Sequence, residues 1–147
     1  MENVNYNILI IEDNPGDFIL VEELLSEQME VPILTQAKNF QEAKRILSKD
    51  GNLFDIILLD LLLPDKMGLP LIQEIVELSL STPVIILTGY NDSSFGIKAL
   101  SLGVSDYILK DELTAVSLFK SIVYSSERKN VALALEESEN NITNCLT

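Results

Sequence analysis

Five short apolar runs recur along the chain, separated by longer and more polar segments. The runs are NILII (7–11), PILTQA (32–37), FDIILLD (54–60), PVIILTG (83–89) and DYILK (106–110). The first, third and fourth runs are nearly continuous aliphatic residues, which is typical of strands buried on both faces of a sheet. The second and fifth runs are weaker, and the second could lie at a sheet edge. The pattern therefore predicts a parallel sheet with helices on both faces.

The segments between the runs carry helix signals. Asn14 and Pro15 predict the N-cap and the first residue of a helix that continues to Gln28. Asn39, followed three residues later by Glu42, predicts the start of a second helix. Three further helix-like segments cover residues 68–79, 93–103 and 113–139. Because strand and helix alternate five times, we predict an α/β fold with a doubly wound five-stranded parallel sheet in (βα)5 order.

The last helix-like segment is unusually long. Nothing in the sequence breaks it between Leu113 and Glu139. A helix of that length would run roughly 40 Å, against roughly 17 Å for a five-residue strand. Its second half is therefore expected to extend beyond the sheet as an extended C-terminal helix. We divide the chain into a domain of residues 1–127 and a C-terminal helical extension and tail of residues 128–147.

Composition narrows the function classes. The chain has 147 residues and a formal net charge of −13, from 23 acidic and 10 basic side chains. This balance disfavours direct binding of nucleic acid, which needs clustered Lys and Arg. The sequence contains no histidine. That absence excludes histidine-based acid–base catalysis, histidine metal ligands and a phosphohistidine relay within this chain.

Three observations bear on location. Cys145 is the single cysteine, so the chain makes no intramolecular disulfide, which suggests a reducing compartment. The first residues lack the basic and apolar regions of a signal peptide. No apolar run approaches the roughly 20 residues of a membrane-spanning helix. We therefore expect a cytoplasmic protein without membrane contact.

Charged and hydroxyl side chains follow the predicted strands. They are Glu12 and Asp13 after the first strand, Asp60 after the third, Thr88 after the fourth and Lys110 after the fifth. In a doubly wound sheet the carboxyl ends of the strands share one edge, where ligands bind. Singly, the acidic pair could form a turn, Thr88 could simply close a strand, and Lys110 could be a solvated charge. Asp60 is the stronger signal, because a carboxylate ending a buried strand needs a partner.

These residues closely resemble the receiver domain of two-component response regulators. The resemblance covers roughly positions 5–127 and rests on four stretches in the expected order: LIIEDN, LLDLLLPDKMG, ILTGYND and DYILK. It implies the flavodoxin-like receiver fold and a role in phosphorelay signal transduction. It also implies that the chain is a switch rather than an enzyme.

The resemblance implies a role for each carboxylate. Asp60 would be the phosphoacceptor, whose carboxylate attacks a phosphoryl group and becomes an acyl phosphate. Glu12, Asp13 and Asp60, with the backbone carbonyl of Leu62, would hold Mg²⁺, which prefers oxygen ligands. Independently of the resemblance, three close carboxylates repel one another and need a cation.

Three more residues match the family's pattern. Lys110 would pair with Asp60 and then with a phosphoryl oxygen, and Thr88 would hydrogen-bond another phosphoryl oxygen. Tyr107 matches the family's switch aromatic residue, whose ring moves when the threonine shifts. The family often has proline after the lysine, but Asp111 stands there. Whether that peptide bond is cis, as it often is in the family, is therefore open.

The implied partners are proteins. A histidine kinase or phosphotransfer protein would donate the phosphoryl group. The segment at residues 121–139 resembles the linker helix that follows receivers fused to sensory or catalytic modules. It favours either a receiver from a larger signalling protein with an output domain outside this chain, or a stand-alone receiver that acts by protein contact. A homodimer stays open, with Val131, Leu135 and Ser138 as a short seam that is too brief for a coiled coil.

Three alternatives stay open. A phosphohydrolase of the haloacid dehalogenase type also places Asp after an apolar strand, but it needs a second Asp where Leu62 stands. A degenerate receiver would serve as an unphosphorylated scaffold, against which the complete set of candidate site residues argues. A nucleotide-binding module would need a glycine-rich phosphate loop, and EDNPGD follows the first strand instead.

Overall fold

The structure, a computed structural model, describes residues 6–50, 53–89 and 93–127. Within these ranges one five-stranded parallel sheet has the strand order β2-β1-β3-β4-β5. The strands are β1 (Asn7–Ile11), β2 (Ile33–Ala37), β3 (Ile56–Leu59), β4 (Val84–Thr88) and β5 (Asp106–Leu109). The predicted α/β class, parallel sheet and edge position of the second strand are confirmed. The chain reverses its direction of winding between β1 and β3, which places β3 at the centre.

Helices connect the strands and cover both faces. They are α1 (Pro15–Gln28), α2 (Phe40–Asp50), α3 (Gly68–Ser79), α4 (Ser93–Ser101) and α5, which is helical over residues 115–127. None of the helices within the described residues is long and apolar enough to cross a membrane.

The sheet separates two hydrophobic layers. Along β3, Ile57 and Leu59 pack with residues of α2, α3 and α4, whereas Ile56 and Leu58 pack with residues of α1 and α5. All four β3 side chains are buried. A strand that is covered on both faces needs apolar residues at every position, which explains the continuous aliphatic runs.

Local signals fix the starts of the first two helices. The side chain of Asn14 accepts a hydrogen bond from the backbone N–H of Asp17 at 3.1 Å, which confirms it as the N-cap of α1. Asn39 caps α2 by accepting from the N–H of Glu42 at 2.8 Å. The Glu42 carboxylate in turn accepts from the N–H of Lys38 at 2.6 Å. It therefore reaches one residue further back than the capping-box pattern predicts.

The predicted start of the last helix at Leu113 is wrong by two residues. Residues Lys110–Glu112 form a short 3-10 helix, and α5 begins only at residue 115. The cause is a cap: the Thr114 hydroxyl oxygen accepts from the N–H of Ser117 at 3.0 Å. The predicted helical extension, residues 128–147 with its possible dimer seam, lies outside the described residues.

The loop after β3 is tied to the start of α2. The two carboxylate oxygens of Asp65 accept from the N–H groups of Phe40 at 2.8 Å and Gln41 at 3.0 Å. The Lys66 ammonium lies 4.8 Å from the centroid of the Phe40 ring and forms an ion pair with Glu74. The loop between the central strand and α3 is therefore anchored on a neighbouring helix.

The capping role of Asp65 predicts a change in stability. We expect Asp65→Ala to lower the free energy of unfolding by about 1 kcal/mol at neutral pH, because two N–H groups of α2 lose their acceptor. Chemical denaturation measures this change. Glu77→Ala, at an exposed acidic position of α3, is the control and is expected to have little effect.

The same contribution should depend on pH. Desolvation opposes the shift, but the hydrogen bonds from Phe40 and Gln41 hold the pKa of Asp65 below its ordinary value of 3.8. A carboxyl group whose pKa is lower in the folded protein than in the unfolded chain stabilises the fold fully at pH values above its unfolded pKa. This stabilisation is lost as the pH falls through the folded-state pKa. We therefore expect the difference between wild type and Asp65→Ala to shrink only under strongly acidic conditions. A difference that disappears at pH 5 to 6 would contradict this assignment.

Candidate functional site

The candidate site lies at the carboxyl ends of β1 and β3. Glu12 directly follows β1, and its N–H donates to the carbonyl of Ala37 at 2.9 Å. Asp60 directly follows β3, and its N–H donates to the carbonyl of Ile11 at 2.9 Å. The ladder hydrogen bonds thus continue one residue past each strand. They fix two carboxylate-bearing residues side by side on rigid backbone.

Three carboxylates converge there. Glu12, Asp13 and Asp60 each have a carboxylate oxygen within 4.8 Å of the others. Glu12 is 3% exposed and Asp60 is 8% exposed, whereas Asp13 faces solvent. Burial raises the pKa of Glu12 to about 9, and the neighbouring charge of Asp60 adds to the rise. Like charges at low exposure therefore disfavour ionisation of both carboxylates together.

The donor set fits a divalent cation. The second carboxylate oxygen of Glu12 is buried and accepts no hydrogen bond from any residue in the described ranges. An acceptor in this position is suited to coordination of a metal ion. Three carboxylate ligands, one of them facing water, suit a hard cation that keeps part of its hydration shell.

Lys110 supplies the positive charge of the site. Its Nζ lies 3.0 Å from Oε1 of Glu12, 2.7 Å from Oδ2 of Asp17 and 3.6 Å from Oδ1 of Asp60. Desolvation opposes the shift, but the hydrogen bonds to Asp17 and Glu12 raise the pKa of Lys110 above its ordinary value. The Lys110–Asp111 peptide bond is trans. Lys110 therefore lies beside Asp60 but donates its hydrogen bonds elsewhere.

Asp17 is a site residue that the sequence reading missed. It lies in the first turn of α1, where the Asn14 cap and Pro15 start the helix. The hydrogen bond from Lys110 lowers the pKa of Asp17, against an opposing effect of desolvation. Its position four residues after Asp13, at the start of a helix that leaves the same sheet edge, was the available signal.

Thr88 and Tyr107 lie on the next two strands of the sheet, β4 and β5. Thr88 is the last residue of β4, fully buried, and it pairs in register with Leu109. The half-buried Tyr107 ring packs against Phe95 of α4, with 6.3 Å between ring centroids and 56° between ring planes. A Cβ at Gly96 would lie 3.5 Å from the Tyr107 ring. The Tyr107 ring therefore links β5 to α4.

Leu62 lies in the loop after Asp60. Its side chain is 51% exposed, and its backbone forms an isolated bridge with Met67. The structure thus brings Glu12, Asp13, Asp60 and Lys110 into one cluster. The carbonyl of Leu62 as a metal ligand stays a prediction.

Comparison with known proteins now identifies the family. A family model described as the response regulator receiver domain matches residues 8–122. The chain belongs to this family. The two-component response regulator ARR12 of Arabidopsis thaliana is 32% identical over 108 residues, covering 73% of this chain and 17% of that protein. The response regulator protein PilR of Pseudomonas aeruginosa is 35% identical over 102 residues, covering 69% of this chain and 22% of that protein.

Solved structures agree with the fold. A response regulator receiver domain protein from Clostridium thermocellum superposes with a TM-score of 0.75 and 28% identity, covering 86% of this receiver and 98% of that chain. NtrX from Brucella abortus superposes with a TM-score of 0.78, covering 91% of this receiver and 29% of that chain. At 21% identity, NtrX supports the fold alone.

The resemblance of the sequence motifs to response regulator receiver domains is confirmed. The flavodoxin-like receiver fold is confirmed as well. This receiver spans between 17% and 22% of the length of the two curated relatives named above. Those relatives are named as response regulators and not as enzymes.

The excess of carboxylates over ammonium groups at the site predicts an effect of substitutions on the free energy of unfolding. We expect Asp60→Asn to raise the free energy of unfolding by about 1 kcal/mol in a chelating buffer at a pH above the Glu12 pKa of about 9, because Glu12 is then ionised and the variant removes a like charge beside it. Denaturant unfolding with EDTA present measures this. Asp13→Asn is the comparison within the same cluster, and we expect a smaller gain because water screens its exposed carboxylate. A loss of stability in Asp60→Asn would contradict repulsion as the dominant effect.

Proposed function

We propose that this receiver accepts a phosphoryl group on Asp60, with Mg²⁺, from a histidine kinase or a phosphotransfer protein. The observation that carries the proposal is the setting of the Asp60 carboxylate. It is nearly buried at the end of the central strand, close to Glu12 and Asp13, with the Lys110 ammonium 3.6 Å away.

Asp60 acts as the nucleophile. One carboxylate oxygen forms a bond to phosphorus while the bond between phosphorus and the donor's leaving atom breaks, and the bonding electrons stay with the donor. Lys110 moves toward a phosphoryl oxygen and offsets the added negative charge. Glu12, Asp13, Asp60 and the carbonyl of Leu62 would hold Mg²⁺, which supplies further positive charge at the transferring group.

Thr88 and Tyr107 carry the change to the surface. The Thr88 hydroxyl hydrogen-bonds a phosphoryl oxygen, and the Tyr107 ring follows the shift of β4. Because Tyr107 packs on Phe95, a change of its rotamer changes the surface near α4. An added phosphoryl charge that biases a packed element between two arrangements is a common form of protein switch.

The partners in this proposal are proteins in the cytoplasm. The donor is a kinase or phosphotransfer protein, and the phosphorylated surface binds a second copy of the chain or an output domain outside it. The coverage of the relatives supports an output domain, because PilR and ARR12 are several times longer than the matched region.

The alternatives have less support. Hydrolysis of the haloacid dehalogenase type needs a second Asp two positions after the nucleophile, and Leu62 stands there. An unphosphorylated scaffold would not need the convergence of Glu12, Asp13, Asp60 and Lys110 that lies at this edge.

Phosphorylation can be tested with a small donor. We expect acetyl phosphate and Mg²⁺ to add one phosphoryl group to the full chain, detected by intact-mass spectrometry at neutral pH. Asp60→Asn should abolish the addition, because an amide oxygen is a poor nucleophile and cannot form the acyl phosphate. Glu77→Gln, at an exposed acidic position of α3, should be phosphorylated like the wild type. Modification that persists in Asp60→Asn would refute the assignment of Asp60.

Mg²⁺ binding can be measured without phosphotransfer. At ten times its dissociation constant, a ligand that binds only the folded state adds about 1.4 kcal/mol of stability. We therefore expect Mg²⁺ to raise the melting temperature of the wild type and EDTA to reverse the rise. The increase should be much smaller in Glu12→Gln and in Asp13→Asn. Equal increases in all three proteins would indicate that the ion binds elsewhere.

A further inference from the structure

Lys110 is shared among three carboxylates, and its shortest contact is with Asp17. The distance from Nζ to Asp17 Oδ2 is 2.7 Å, and the distance to Asp60 Oδ1 is 3.6 Å. The first is within hydrogen-bonding distance, and the second is too long for a hydrogen bond. The cation expected to bind a transferred phosphoryl group therefore donates its hydrogen bonds to Asp17 and Glu12 rather than to Asp60.

The start of α1 fixes Asp17 in this place. Asn14 caps the helix through the backbone N–H of Asp17, so the Asp17 side chain takes no part in the cap. Its carboxylate lies in the first turn of α1 and pairs with Lys110, which directly follows β5, across 93 residues of sequence. The contact is thus a tertiary interaction on a rigid helix terminus.

We propose that Asp17 is a positioning residue that holds the Lys110 ammonium away from Asp60 and so lowers the affinity of the site for a phosphoryl group. This inference rests on the proposed function, because it takes Lys110 as the group that binds a phosphoryl oxygen. When Asp60 is phosphorylated, Lys110 must leave Asp17 or share its protons with both anions. The contact with Asp17 therefore favours the unphosphorylated state.

A small cavity lies beside the ion pairs of Lys110. Its volume is about 20 Å³, and Asp17, Asp60, Lys110 and Leu113 are among the residues that line it. This volume is close to that needed for one water molecule. The other lining residues of the cavity are Glu12 and aliphatic side chains, so the side-chain acceptors available to the ammonium there are the three carboxylates.

Asp17 can be tested with a phosphoryl analogue. The full chain with Mg²⁺ is titrated with beryllofluoride, which mimics a phosphoryl group on a carboxylate, and affinity is measured by calorimetry. We expect Asp17→Asn to bind the analogue about fivefold more tightly than the wild type, as suits the loss of one partly exposed ion pair. Asp17→Glu, which restores the charge, should bind more weakly than Asp17→Asn. Both variants retain the backbone N–H at position 17, which donates the hydrogen bond that the Asn14 side chain accepts.

A structural role predicts the opposite direction. Removing a negative charge from the first turn of α1 loses a favourable interaction with the helix dipole, so Asp17→Asn should melt at a slightly lower temperature without analogue. Simple destabilisation would then weaken analogue binding. Tighter binding by a slightly less stable protein is the signature of released Lys110. Glu23→Gln is the charge-matched control, at an exposed position of the same helix, and its affinity should equal that of the wild type.

The outcomes separate the two proposals. If the wild type neither binds the analogue nor becomes phosphorylated, the proposed function fails. If the wild type binds and Asp17→Asn binds equally or more weakly, the role of Asp17 fails alone. An equal gain in Glu23→Gln would also overturn it, because net charge would then explain the effect. If Asp17→Asn does not fold, Asp17→Ser provides the same comparison with another short polar side chain.

Discussion

Glu12 and Asp60 lie beside a single ammonium at one edge of the sheet, and both carboxylates are almost fully buried. Burial makes it costly to ionise both carboxylates, because water cannot screen their repulsion. The Lys110 charge is divided further by Asp17, so the site is short of positive charge. A divalent cation and a change in the contacts of Lys110 are two ways to relieve that shortage. The reactivity that we propose for the site and its proposed sensitivity to added charge have the same origin.

The sheet holds the Glu12 and Asp60 carboxylates close together despite the cost of ionising both. Repelling groups separate unless their backbones are fixed, and here each backbone N–H continues the ladder hydrogen bonds of a buried strand. Strands β1 and β3 are neighbours because the chain reverses its winding between them. Hydrophobic layers on both faces then prevent the strands from moving apart. The aliphatic residues before Asp60 support the proposed function through this rigidity.

Much of this arrangement was predictable from the sequence. Continuous aliphatic runs identify buried parallel strands, and each strand end locates a side chain at the common edge, so Glu12, Asp60 and Lys110 could be placed together. The preference of Lys110 for Asp17 could not be predicted. It depends on the orientation of the first turn of α1 relative to the sheet edge, which no local sequence pattern indicates. The start of α5 was missed for a related reason, because a Thr114 cap overrides an otherwise unbroken helical pattern.

The hydrogen bonds from Phe40 and Gln41 to Asp65 make the stability of α2 depend on a distant part of the chain. Asn39 can begin α2 locally, but two N–H groups of its first turn find acceptors only on a residue 25 and 24 positions later in the chain. That residue, Asp65, lies in the loop that follows the central strand β3. The first turn of α2 therefore reaches its full stability only when the loop after β3 is in place. The stability of this helix thus depends on a loop that follows it in the sequence.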